Sequence, residues 1–117
     1  MLGRFSKQKA MHPRYIEKRM CRAIDEGARV FLKKVYAPNY ITVCLNPEDM
    51  REVFKYRRVF WDEMRRTAQE HIEANLSLAG NIGDRIVIKI LDDPAVPKGE
   101  VACTAELVDD LPPEEDS

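Results

Sequence analysis

The chain has 117 residues, 44% of them hydrophobic and 33% charged, with only 5 glycines and 7 prolines. That is enough for one compact core, too short for a typical two-domain enzyme, and neither fibrous nor disordered in composition. The formal net charge of −1 hides a partition: residues 1–66 carry 16 Lys/Arg against 8 Asp/Glu, whereas residues 67–117 carry 3 against 12. A basic first half can meet nucleic acid, an anionic membrane surface or an acidic protein, or it can meet its own acidic second half within the fold. No apolar run is long enough to span a membrane, and residues 1–11 lack the apolar stretch of a signal peptide. Cys21, Cys44 and Cys103 are far apart and have no zinc-type spacing. A cytoplasmic protein with reduced core thiols is expected.

In chain order, residues 1–13 read as a loose basic arm ending at Pro13, which suits the first turn of a helix. From Arg14 to about Val35, Ile16, Met20, Ala23, Ile24, Gly27, Phe31 and Val35 share one side of a helix at about 100° per residue. The opposite side would align Arg14, Lys18, Arg22, Arg29 and Lys33 in a basic stripe. After Ala37-Pro38-Asn39, residues 40–45 alternate as a strand, with Ile41, Val43 and Leu45 on one face. Asn46 followed by Pro47, Glu48 and Asp49 is a helix start, predicting a short helix to about Phe54. Lys55 to Arg58 is a basic connector. A second long amphipathic helix follows from Val59 to about Leu78, closed by Gly80.

Residues 85–91 and 100–107 alternate as two further strands, joined by the proline-containing loop 92–99. They are expected to pair as an antiparallel hairpin, with Arg85 and Lys89 facing Glu100, Thr104 and Glu106. Residues 109–117 are acidic and proline-containing, a disordered tail or the start of a linker. The expected fold class is α+β, one domain over residues 14–108 in the order αβααββ, with helices on one face of a three-stranded sheet. Ile41, Val43, Ile86, Ile88, Ile90, Val101, Cys103, Phe31, Ile24, Phe60, Met64 and Ile72 are its expected core.

No catalytic constellation emerges, and neither a cofactor, a metal nor a small-molecule substrate is implied. His71 lies in the apolar arc of the second long helix and reads as a satisfied core histidine; Glu48, Asp49 and Glu52 are explained by a helix start. The strand-helix-helix-strand order of residues 40–91 resembles a KH core, which makes nucleic-acid binding the alternative function. The connector Lys55-Tyr56-Arg57-Arg58 has no glycine, and Gly80-Asn81-Ile82-Gly83 joins a helix to a strand, whereas the backbone clamp of a KH domain joins two helices. The surface expected to meet a partner is the basic stripe Arg14, Lys18, Arg22, Arg29 and Lys33, continued by Arg57 and Arg58. A weak contact with an anionic membrane surface through the N-terminal arm is a further option.

Ile16-Glu17-Lys18 opening the first helix, the run from Ala37-Pro38-Asn39 through Tyr40 to Asp49, Gly83 to Ile88, and Lys98 to Val101 together resemble the N-terminal domain of FhaA-type forkhead-associated (FHA) bacterial proteins. The resemblance covers about residues 14–108. It implies a non-catalytic regulatory domain that precedes a linker and a phosphothreonine-binding FHA domain, in proteins acting with serine/threonine kinases around cell-envelope synthesis. No FHA domain follows Leu107 in this sequence, so phosphothreonine binding is not implied for these residues.

Overall fold

The structure is a computed structural model and describes residues 11–75 and 86–112. Helix α1 (Pro13–Gly27) starts where His12 Nδ1 accepts the Arg14 backbone N–H at 3.1 Å, with Pro13 in the first turn, where a missing donor costs nothing. It buries Ile16, Met20, Ala23, Ile24 and Gly27, and it stops well short of the expected Val35. A Cβ on residue 27 would collide with the carbonyl oxygen of Ala105, so only glycine lets the helix end this close to the sheet. Ala28 is extended, and the chain then forms an antiparallel hairpin, β1 (Arg29–Phe31) and β2 (Lys34–Tyr36), around Leu32-Lys33.

The helical expectation for residues 28–35 rested on Phe31 and Val35 alone. It ignored the β-branched and aromatic content of Val30, Phe31, Val35 and Tyr36, which favours strands. Phe31, expected in the core, is exposed.

Strand β3 (Tyr40–Leu45) leads into α2 (Pro47–Val53), a 3₁₀ turn (Phe54–Tyr56), α3 (Arg57–Asn75), β4 (Val87–Asp92) and β5 (Val101–Glu106). The sheet order is β4-β3-β5, with β3 parallel to β4 and antiparallel to β5. The expected β4–β5 hairpin is therefore not formed. Lys89 and Thr104 both lie opposite Thr42 of β3, so the cross-strand neighbour of Lys89 is on β3 and not on β5. The physical reason is burial: β3 has Ile41, Val43 and Leu45 at 0% exposure and takes the centre, leaving the more polar β5 at an edge. The two helices between β3 and β4 supply the crossover that a parallel pair needs.

The fold is α+β, with helices packed on the sheet around Ile16, Met20, Ile24, Ile41, Val43, Leu45, Phe60, Met64, Ala68, Ile88, Ile90 and Val101. Of the expected core, Ile72, Ile86 and Cys103 are half-buried. The hairpin β1–β2 is an addition to the expected αβααββ order. Residues 1–10 of the arm, the end of the second long helix beyond Asn75, Gly80 to Gly83, Arg85 and residues 113–117 lie outside the described residues.

Candidate interaction surface

Helix α1 places Arg14, Lys18 and Arg22 on one exposed face at i, i+4 spacing. With Tyr15, Cys21 and Asp25 they border a shallow depression whose far side is Thr67 of α3. Arg22 Nε is 3.5 Å from Glu26 Oε2, an exposed pair. Arg14 and Lys18 form no ion pair with any described residue. The other cations of the expected stripe are elsewhere, because the helix ends at Gly27: Arg29 opens β1 and Lys33 sits in the hairpin turn. Arg57 and Arg58 open α3, the Arg57 guanidinium lying 5.1 Å from the centre of the Phe54 ring. The seven cations thus fall into three groups, and three of them share a face.

A groove of about 540 Å³ adjoins this face at Arg14. The start of α1 forms one wall, and the α2–α3 junction with the exposed Tyr56 and Val59 forms the other. Glu17, Glu52 and Glu63 rim it. Sequence reading missed this groove because Tyr56 stood in a segment read as a basic connector and Val59 was read only as the start of the second long helix.

The residues that first suggested chemistry are engaged in holding the fold. His71 Nε2 is 2.8 Å from Asp25 Oδ1, tying α3 to α1. Asn46 Oδ1 accepts the Glu48 N–H at 2.9 Å and its Nδ2 donates to the Val96 carbonyl, while the buried Asp49 accepts the Gly99 N–H at 2.7 Å. Lys98 bonds Glu48 at 3.0 Å, which lowers the Glu48 pKa and raises that of Lys98. This carboxylate cluster docks loop 93–100 on α2. Burial pushes the Cys103 thiol up to about 11 against the opposing charge of Arg19, and burial likewise raises Cys21 and Cys44. Among the described residues no three His, Cys, Asp or Glu side chains gather as a metal site, and no helix is long and apolar enough to cross a membrane.

The tripeptide Ala37-Pro38-Asn39 also proves structural. Asn39 N–H donates to the Glu106 carbonyl and the Asn39 carbonyl accepts from Val87 N–H, so its backbone bridges both outer strands. Its side chain accepts the Val108 N–H at 2.9 Å and donates to the Val108 carbonyl at 3.0 Å. Sequence reading had used this motif only as a loop signal and a family mark.

No curated protein matches the chain. A solved structure of the Rv0020c N-terminal region superposes with a TM-score of 0.73 at 14% identity, covering 86% of this chain and 75% of that one, a likeness of fold. Residues 2–104 match the family described as FhaA, N-terminal domain. With nearly the whole chain matched, and with the Ala-Pro-Asn strand entry and the three-stranded sheet in place, this protein belongs to the FhaA N-terminal domain family.

Proposed function

We propose that this domain is a non-catalytic, regulatory protein-interaction module of an FhaA-type signalling protein, and that the Arg14-Lys18-Arg22 face of α1 meets an acidic partner segment. The observation that carries it is the exposure of Arg14 and Lys18 one turn apart with no ion pair to a described residue. Like charges at i, i+4 cost an isolated helix a few tenths of a kcal/mol per pair, a cost that an anionic partner offsets. A non-catalytic role is supported by the engagement of His12 as a helix cap and His71 with Asp25, and by thiols held protonated at neutral pH. A link to kinase signalling and envelope regulation in the cytoplasm rests on family membership.

The test is capture from the native cell by the wild-type chain and by Arg14→Glu/Lys18→Glu. A partner retained by the wild type and lost by the variant, with a thermal midpoint that is unchanged or raised, is the expected outcome; equal retention by both defeats the assignment. The KH-like alternative predicts single-stranded RNA or DNA binding at low salt that falls steeply as salt rises. Against it, the connector that would clamp the backbone is divided between a 3₁₀ turn, with Lys55 paired to Glu52 at 3.3 Å, and the first residues of α3.

A further inference from the structure

The β1–β2 hairpin carries an apolar apex that folding does not reward. Leu32 is 99% exposed, Val30 71% and Phe31 51%. Leu32 also holds φ at +49°, a conformation that glycine or asparagine adopts at less cost than leucine. The residue at the tip is therefore unfavourable both for its backbone and for its exposure. Around it, residues 29–36 hold Arg29, Lys33 and Lys34 and no carboxylate, and neither Arg29 nor Lys33 pairs with a described residue. The Phe31 and Tyr36 rings lie 5.6 Å apart between the apex and the base of the hairpin.

We propose that this hairpin docks on an anionic lipid surface, Leu32 and Phe31 entering the interface while Arg29 and Lys33 contact the phosphates. Charge complementarity selects the sign of the surface: a purely cationic rim around an apolar tip fits anionic headgroups. Size and shape select a bilayer over a protein. Three side chains on a convex two-stranded projection fall far below the roughly 800 Å² that each partner of a stable protein interface contributes, whereas a fluid interface accepts a convex tip without a matching cavity. This site is separate from the α1 face and does not depend on the proposed protein partner.

The experiment is flotation of the full chain with phosphatidylcholine vesicles, with and without phosphatidylglycerol, at low ionic strength. Binding is expected only with phosphatidylglycerol, and Phe31→Ser/Leu32→Ser should weaken it about tenfold or more while the circular dichroism spectrum is kept. Lys33→Glu, which leaves the apolar apex intact and so guards against a folding artefact, should weaken it about fivefold or more. Several outcomes overturn the proposal: no binding to the anionic vesicles, equal binding to neutral ones, or binding unaltered in both hairpin variants, which would assign it to another segment such as the basic arm. Self-association without vesicle binding, abolished by Phe31→Ser/Leu32→Ser, also overturns it and gives the apex to a second copy of the chain.

Discussion

Asn39 is the residue on which the sheet closes. Its main chain bonds both outer strands and its amide bonds both polar groups of Val108, all from a position only 8% exposed. Asn39→Ala removes two side-chain hydrogen bonds worth about 1 kcal/mol each and leaves Val108 polar groups to find new partners, so a loss of about 2–3 kcal/mol is expected in urea unfolding. Asn39→Asp, which keeps the acceptor but sets a carboxylate against the Val108 carbonyl, should cost at least as much. A second prediction concerns Cys103. Its thiol ionises near 9.0 when unfolded and near 11 in the fold, chiefly because burial disfavours the thiolate. The neutral thiol thus favours the folded state fully below pH 9.0, and that contribution disappears as pH climbs toward about 11. Wild-type protein should lose more stability than Cys103→Ala between neutral pH and about 10, as read from urea midpoints.

At the scale of elements, α1 and α3 are joined by the His71–Asp25 contact at the rim of the core, with the Asp25 side chain about half exposed. A double-mutant cycle of His71→Ala and Asp25→Ala should return a coupling of about 0.5–1 kcal/mol, and no coupling would mean that the two side chains act separately. The strand Tyr40–Leu45 and the start of α2 at Asn46-Pro47 were legible because each has a local signature: period-two alternation in one case, a capping side chain and a first-turn proline in the other. The end of α1 was not. The spacing of Phe31 and Val35 continued the helical period past Gly27 and outweighed the strand content of Val30, Phe31, Val35 and Tyr36, while the close fit of Gly27 against the carbonyl of Ala105, 78 positions along the chain, is a contact that a periodicity count cannot register. The same limit hid the strand order. Alternation in residues 86–90 and 101–107 says which side chains share a face, but not that β3 would enter between them. The surface fared likewise: Arg14, Lys18 and Arg22 were found by spacing, Arg29 and Lys33 were misplaced with the helix, and the groove at Tyr56 and Val59 needed three elements to be assembled.

Across the whole molecule, none of the ion pairs Arg22–Glu26, Lys55–Glu52, Arg66–Glu63 and Lys98–Glu48 joins a cation of the basic first half to a carboxylate of the acidic second half. α1 lies along the free edge of β5, where Arg19 reaches the Val101 carbonyl at 3.5 Å and Gly27 abuts Ala105, so the helix blunts the strand's edge. The charges on the far side of α1 are left facing solvent. Lys18 stands between Arg14 at i−4 and Arg22 at i+4, with Tyr15 and Cys21 as its i±3 neighbours. Replacing it by glutamate exchanges two repulsive spacings for two attractive ones, each worth about 0.2–0.5 kcal/mol at low salt. Lys18→Glu should therefore stabilise the domain by about 1 kcal/mol, a rise of several degrees in thermal midpoint at this size. The gain should shrink as salt is added, because every group involved is exposed. An unchanged or lowered midpoint at low ionic strength would mean that Lys18 is balanced by the domain's own carboxylates. If the same substitution also weakens capture of the acidic partner, the face keeps its lysine at the expense of stability, as expected of a surface selected for binding.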